Sequence, residues 1–291
     1  MDKSLTIIIP AFNEEKAIRS TLAELLPFAK RNRWKIILIN DGSTDETEAE
    51  ARISEEILII NHPYNKGYGA SIKTGIQFAQ TDYIALYDAD GQHRPDDLLA
   101  LFDRIDGIDM IVGERGRDSH RNWIRQPGKW VLEKTANFLT GRKIPDLNSG
   151  LRIIKREVIV RLLHLFPDGF SFSTTSTIAF MNLGFFVVYF PIKVNKRIGK
   201  SSVKQLKHGS HTMLLILRLI VLFNPLKVFI PVSLSLLFLG LVYEIIYGVI
   251  LIQGIKILPA ALLAFISGIL IFFFGLVVDQ ISEMRKHLNI R

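Results

Sequence analysis

The residues with the most chemistry per position are Asp88-Ala89-Asp90-Gly91-Gln92-His93. An apolar run, Tyr83 to Tyr87, reads as a buried strand and ends in two carboxylates separated by one small residue. In an α/β sheet, ligands gather beyond the carboxyl ends of the strands. Two acids there, with no nearby base, are costly unless a cation arrives. A divalent metal carrying a nucleotide diphosphate meets that need, because hard cations take carboxylate and phosphate oxygens together. Asp also favours turns and helix caps, so the pair acquires meaning only from the elements that position it.

Those elements alternate. Leu5 to Pro10 is a short apolar strand; Asn13 then reads as an N-cap, Glu14 and Glu15 as first-turn acids, and Ala17, Ile18, Leu22, Leu25 and Leu26 as a helical stripe. Lys35 to Asn40 is a second strand, followed by Asp41-Gly42-Ser43-Thr44-Asp45, where Ser43 or Thr44 is expected to cap a helix running to about Ile53. Ile57 to Asn61 is a third strand, Gly67 to Ala79 a helix, and the fourth strand leads into Asp88. This alternation predicts a doubly wound, mostly parallel sheet. The polar loops after the first, second and fourth strands then share one edge.

The last third of the chain has another character. Val228 to Ile252 is apolar apart from Glu244, and Leu258 to Val278 is apolar throughout. Each exceeds the about 20 residues that cross a hydrocarbon core. The short connection, Gln253 to Ile257, makes them a hairpin with both flanks on one side. Lys204, Lys207, Arg218 and Lys227 precede it, Arg285, Lys286 and Arg291 follow it, and the outer loop offers only Lys256. The positive-inside rule places the N-terminal domain and the C-terminal tail in the cytoplasm. Glu244 is expected to pair with Lys256 or reach a neighbouring subunit, so the hairpin also offers a surface for a homo-oligomer. The expected organisation is a cytoplasmic α/β domain over 1–205, an interfacial amphipathic segment over 206–225 and a two-span hairpin with a short tail over 226–291. The net charge of +8 fits an anionic membrane surface better than nucleic acid, because the basic residues cluster beside the spans and no aromatic-interleaved basic sheet face is evident. The chain has no cysteine, which excludes disulfides and thiolate metal sites. Its seven histidines show no metal-ligand pairing.

Four motifs occur in order: Ile9-Pro10-Ala11-Phe12-Asn13-Glu14, Asn40-Asp41-Gly42-Ser43-Thr44-Asp45, Asn65-Lys66-Gly67-Tyr68-Gly69 and Asp88-Ala89-Asp90-Gly91-Gln92-His93. Together they resemble family 2 glycosyltransferases, in particular the dolichyl-phosphate mannose synthase and polyprenyl-phosphate glucosyltransferase branch. The resemblance covers about the first 205 residues and implies a GT-A fold with a nucleotide-sugar donor. It implies that Pro10, Phe12, Glu14, Ile39 and Asp41 hold the base and ribose, with Phe12 standing where mannose synthases often have Tyr. It assigns Asp88, Ala89 and Asp90 to the donor, Asp90 and Gln92 to Mg²⁺ or Mn²⁺, and Arg115 to a donor phosphate. Asp90, Gln92 and Arg115 are the implied catalytic set. Lys129 falls where an acceptor-phosphate Arg is usual. The run Lys196-Arg197-Ile198-Gly199-Lys200-Ser201-Ser202 resembles a basic phosphate-covering motif, which leaves Lys196, Arg197, Lys200 and Lys204 as alternatives; Arg197 is assigned to the donor, Lys196 and Lys204 to the acceptor phosphate.

The acceptor follows from what is missing. A hydroxyl acceptor needs a general base, usually a carboxylate. Relatives that use hydroxyls place an Asp late in the domain, whereas Gly169 to Thr177 contains no acid and Asp168 reads as a loop residue. A phosphate monoester is already anionic and needs no base. The expected activity is inverting transfer of a hexose, glucose or mannose, from a UDP- or GDP-sugar to a membrane polyprenyl phosphate. The alternatives are transfer to a lipid hydroxyl and a non-catalytic nucleotide-sugar-binding membrane scaffold.

Overall fold

The computed structural model describes residues 3–116, 126–169, 171–199, 218, 221–251 and 258–290, with only the backbone described for 126–132, 248–251 and 285–290. The chain divides into two compact units, Met1–Gly209 and Ser210–Arg291.

The first unit is an α/β sandwich. Its strands are β1 (Leu5–Ala11), β2 (Lys35–Asn40), β3 (Ile57–Asn61), β4 (Tyr83–Leu86), β5 (Met110–Arg115), β6 (Arg152–Lys155) and β7 (Val187–Ile192). They form one sheet in the order β3-β2-β1-β4-β6-β5-β7. The first three and β4 run parallel, and β7 runs parallel to β5; β6 is antiparallel to both β4 and β5. Ile7, Ile8, Ile9, Ile84, Ala85 and Leu86 are fully buried, as expected of central strands covered on both faces, which read as continuous apolar runs. The helices are α1 (Ile18–Asn32), α2 (Thr47–Ala51), α3 (Tyr68–Phe78), α4 (Pro95–Phe102), α5 (Gln126–Thr140), α6 (Arg156–Leu162) and α7 (Phe172–Asn182).

The reversed strand matters for function. In a parallel sheet, each strand leaves its following loop at the carboxyl edge. An antiparallel strand instead delivers its preceding loop there. The pairing of Leu86 with Arg152 sets the start of β6 against the end of β4, so residues 146–151 reach the same edge as Asp88.

Two expected caps are corrected. Asn13 does not cap α1, which begins at Ile18 behind Ala17 without a side-chain cap. Asn13 has left-handed backbone (φ 55°); its N–H donates to Ser43 Oγ (3.0 Å) and its Oδ1 accepts from Thr44 N–H (2.9 Å). Its capping chemistry is therefore spent on stitching the loop after β1 to the loop after β2. The helix after β2 is only Thr47–Ala51, and Asp45 Oδ1, not Ser43 or Thr44, accepts the Thr47 N–H (3.1 Å).

The second unit is a helical hairpin of α8 (Leu226–Tyr243), continued by a wider π-helical stretch Glu244–Leu251, and α9 (Pro259–Ile290). Both helices are long and apolar enough to cross a membrane, with mean hydropathies of 2.1 and 2.8 over Leu226–Tyr247 and Pro259–Met284. Small residues bring them together: Ser233 Oγ donates to Gly268 O (2.8 Å), and Gly275 faces Phe229. The second helix runs past the expected end at Val278, because its last turns carry Asp279, Glu283 and basic residues that suit water. Glu244 Oε2 accepts the Leu258 N–H (3.0 Å), one of the first unpaired donors at the start of α9. Lys256, its expected partner, and residues 206–217 of the expected interfacial segment lie outside the described residues.

Candidate active site

The strand β4 ends at Leu86, and the chain then turns at Asp88-Ala89-Asp90-Gly91 with Gly91 in a left-handed conformation (φ 72°). Asp88 is held on three sides. Tyr68 OH donates to Oδ1 (3.2 Å), His93 Nε2 lies 3.1 Å from Oδ2, and Gly150 packs directly against the carboxylate. Burial alone would raise the Asp88 pKa; the His93 and Tyr68 hydrogen bonds and the charge of Arg115 outweigh it and hold the carboxyl below the usual range. Asp90 behaves oppositely. Burial, then repulsion from Asp88, raises it against the pull of Arg197. Its Oδ1 accepts the Gln92 N–H (3.1 Å), and Oδ2 lies 3.3 Å from Arg197 Nη1.

The expectation that no base neutralises these acids is corrected by Arg197. After β7, Asn195 N–H donates to Gln92 O (2.9 Å) and Ile198 N–H to Asp90 O (3.1 Å), strapping the late segment onto the acidic turn. Arg197 then pairs with both Glu14 and Asp90. Glu14 is pushed up to about 7, chiefly by burial, with Arg197 opposing and Asp90 and Asp88 adding to the rise. Lys196 is exposed, so of the described basic residues in this run it is Arg197 that faces the acids. Lys200 and Lys204 lie outside the described residues, and Lys129 falls on α5 where only the backbone is described.

Arg115, at the end of β5, is not open on all sides. Its Nε and Nη2 make a forked pair with Asp146 (2.7 and 2.9 Å), and its N–H reaches the same carboxylate (3.3 Å). Burial would raise Asp146, but the Arg115 hydrogen bonds dominate and lower it, and the same pair raises Arg115. A guanidinium has five N–H donors, so Arg115 keeps part of its fork for a ligand while its orientation is fixed.

Two of the residues expected at the donor, Asp41 and Ile39, are buried. Asp41 is only 3% exposed; its Oδ1 lies 2.7 Å from His62 Nδ1 and accepts from Lys66 N–H (2.9 Å), while Oδ2 accepts from Gly67 N–H (2.8 Å). It fixes the loop before α3. Ile39 is fully buried, because its position in β2 points into the core. Pro10, Phe12 and Gln92 are half-buried at the sheet edge. Ala89 is buried, and its carbonyl accepts from Thr21 Oγ1 (3.2 Å).

The stretch that sequence reasoning missed is Asp146 to Arg152. Asp146 clamps Arg115, Asn148 Oδ1 accepts from Thr174 Oγ1 (2.7 Å), and Gly150 touches Asp88. Arg152 is fully buried and donates from Nη1 to Ser173 O, Ser176 Oγ and Thr177 Oγ1 and from Nη2 to Ser149 O. A buried arginine bonded to neutral oxygens ties the start of α7 to this turn. The only local signal was an Asp, a Gly and an Arg close together.

The donor set can be tested against a divalent metal. Among the described residues, no three His, Cys, Asp or Glu side chains converge as a cage. Mg²⁺ and similar hard ions that bind with a phosphate substrate need only one or two carboxylates, the phosphates and water completing the shell. Asp90 with the adjacent Gln92 fits that pattern, and the Asp88 carboxylate two residues away adds negative charge at the same turn. Arg197 lies against one oxygen of Asp90, Oδ2, and the other accepts a single N–H, so the carboxylate keeps lone pairs for a metal.

Comparison with known proteins gives the same direction. Residues 6–163 match the model of Glycosyl transferase family 2, and residues 224–284 match the GtrB C-terminal hairpin. The chain is 31% identical over 208 residues to a polyprenol monophosphomannose synthase of Mycolicibacterium smegmatis, covering 66% of this chain and 77% of that protein. It is 30% identical to a UDP-N-acetylglucosamine–dolichyl-phosphate N-acetylglucosaminyltransferase of Methanococcus voltae, covering 54% and 72%. It is also 30% identical to a dodecaprenyl-phosphate galacturonate synthase of Rhizobium johnstonii, covering 53% of this chain and only 48% of that one. Among solved structures, glucosyl-3-phosphoglycerate synthase of Mycobacterium tuberculosis, crystallised with Mn²⁺, UDP and phosphoglyceric acid, superposes with a TM-score of 0.59 at 18% identity over 75% of this chain and 78% of that one; this likeness is one of fold. With an acid-rich carboxyl edge on a GT-A sheet and a family match across more than half its length, the chain belongs to glycosyl transferase family 2 and is a glycosyltransferase with a GtrB-type C-terminal hairpin.

Proposed function

We propose that this glycosyltransferase moves a hexose, glucose or mannose, from a UDP- or GDP-sugar to a polyprenyl phosphate, with inversion at the anomeric carbon. The observation that carries the acceptor is the lack of a carboxylate in the stretch where relatives that use hydroxyls place one. No carboxylate occurs from Gly169 to Thr177, and the nearest, Asp168, is 67% exposed and paired with Lys73 (2.6 Å). A phosphate nucleophile needs cationic positioning only. The named relatives with lipid-phosphate acceptors support the same reading.

In this reaction an acceptor phosphate oxygen bonds to the anomeric carbon while the bond from that carbon to the diphosphate oxygen breaks, and the nucleoside diphosphate leaves with the electron pair. No proton has to move. Asp90 and Gln92 would hold Mg²⁺ or Mn²⁺, whose contribution is to stabilise charge on the leaving diphosphate. Arg115, oriented by Asp146, and Arg197, beside Asp90 and Glu14, add positive charge at the same place. Asp88 is kept ionised and immobile by His93 and Tyr68. Lys129, Lys196 and Lys204 are assigned to the acceptor phosphate, and the basic flanks of the hairpin put the domain on the cytoplasmic side of the membrane.

The test uses the full-length protein in nanodiscs with polyprenyl phosphate or the free polyprenol, labelled UDP- and GDP-sugars, and Mg²⁺ or Mn²⁺. An acid-labile lipid product formed only from the phosphate is the expected result. Equal glycosylation of the free alcohol overturns the acceptor assignment, and absence of sugar transfer from every donor overturns the reaction.

A further inference from the structure

The turn Asp146 to Gly150 lies between two groups assigned above to the donor. Asp146 grips Arg115 and Gly150 abuts Asp88. Asp146, Leu147, Ser149 and Gly150 are all buried, yet Asn148 in their midst is exposed. An exposed asparagine is normally free to rotate, and this one is held. Its backbone N–H donates to Asp146 Oδ1 (3.2 Å), which fixes the main chain, and its side-chain Oδ1 accepts from Thr174 Oγ1 (2.7 Å), which fixes the carboxamide. Thr174 is 2% exposed on the first turn of α7, and Arg152 locks that turn by bonding the neighbouring Ser173 carbonyl (2.9 Å). With Oδ1 committed, the carboxamide NH₂ is left with no hydrogen bond among the described residues and a fixed direction.

We infer that Asn148 is a sugar-reading residue: its Nδ2 donates to a ring hydroxyl, or to an equivalent oxygen, of the donor hexose, with Thr174 as the positioning residue behind it. This rests on the donor assignment above and extends it to the sugar itself. The chemistry suits the ligand. A hexose presents oxygens that accept hydrogen bonds, and discrimination between epimers comes from a pre-oriented donor that one epimer satisfies and the other leaves unpaired. The carboxylates on either side are occupied, Asp146 by Arg115 and Asp88 by Tyr68 and His93; the Ser149 hydroxyl is also unpaired but fully buried, so the amide is the exposed side-chain donor with which this turn can read the sugar. Pre-organisation by Thr174 removes the entropy cost of holding a mobile side chain.

The experiment compares binding of UDP, GDP, UDP-glucose, UDP-N-acetylglucosamine, UDP-galacturonate and GDP-mannose to the full-length protein in nanodiscs by calorimetry, with no acceptor present. The measured quantity is the affinity of each nucleotide sugar relative to its bare nucleotide. For the sugar the native protein prefers, Asn148→Ala should lower that ratio by about 2- to 12-fold, the value of one net hydrogen bond, and should leave bare-nucleotide affinity unchanged within error. Thr174→Val should reduce the ratio in the same direction and Thr174→Ser should restore it, which a packing role for Thr174 would not require. The epimer preference should shrink in Asn148→Ala. An unchanged ratio, or an equal loss for the bare nucleotide, overturns the assignment of Asn148 while leaving the proposed reaction standing. Failure of the native protein to bind any of these nucleotides overturns the donor reading beneath it.

Discussion

Gly150→Ala is the substitution for which the structure gives the sharpest expectation. A Cβ at this position would lie 2.7 Å from Asp88 Cγ and closer still to Oδ2. The backbone of Gly150 is not left-handed, so alanine adds no torsional strain and the effect isolates the collision. Ordinary carbon contacts begin near 3.4 Å, so the Asp88 carboxylate must retreat by roughly 1 Å. Its bonds to Tyr68 and His93 already stand at 3.2 and 3.1 Å, and such a shift breaks both. Hydrogen bonds to a charged group contribute about 1.5–3 kcal/mol each, and part of this is regained in water. Overpacking of this kind costs about 1–3 kcal/mol of stability. A displacement of about 1 Å at a reacting centre costs on the order of 100-fold in rate, or about 2.7 kcal/mol of barrier. The assay is kcat/KM for lipid-linked product in nanodiscs beside the thermal midpoint, with Gly169→Ala as the control, since a Cβ there meets nothing within 4 Å. Activity of Gly150→Ala within about threefold of the native protein would refute the argument that Asp88 must sit where Gly150 allows it.

Asp90→Ala should abolish transfer, and so should excess EDTA, with Mg²⁺ or Mn²⁺ restoring activity only to the native protein; undiminished turnover in EDTA contradicts a metal at Asp90 and Gln92. Glu14 gives a pH signature: its folded pKa of about 7 stands above the unfolded value of 4.5, so its stabilising contribution is full below pH 4.5 and is lost as pH rises to 7, by at most about 3 kcal/mol. The thermal midpoint of Glu14→Gln minus that of the native protein should therefore rise between pH 5 and pH 8, and a flat difference would show that Arg197 cancels the burial cost. Cysteine placed at Lys256 should react with an impermeant thiol reagent on intact cells while cysteine at Asn289 should not, the native chain having no cysteine to confuse the result; the reverse pattern would invert the proposed topology.

The sequence by itself determined the features that local patterns encode. Apolar runs bounded by polar turns placed β2 and β3 at Lys35–Asn40 and Ile57–Asn61, and long apolar stretches, broken only by Glu244, marked the two hairpin helices, because burial from water leaves its record residue by residue. The acidic turn after β4 was legible for the same reason: polar residues at the end of an apolar strand stand out. Tertiary structure alone decided which way each side chain of the site points and what it meets. Asp41 had the type and place of a donor ligand, but His62, 21 positions away, draws it inward. Arg115 carries no sign in the sequence of its partner Asp146, 31 positions on, which occupies part of its fork. Arg197 reaches Glu14 across 183 positions. The turn Asp146 to Gly150 became part of the site only because β6 runs against its neighbours and carries its preceding loop to the carboxyl edge. Strand direction and long-range ion pairing are settled by packing and electrostatics between segments that have no proximity in sequence, and hydropathy and spacing carry no record of them.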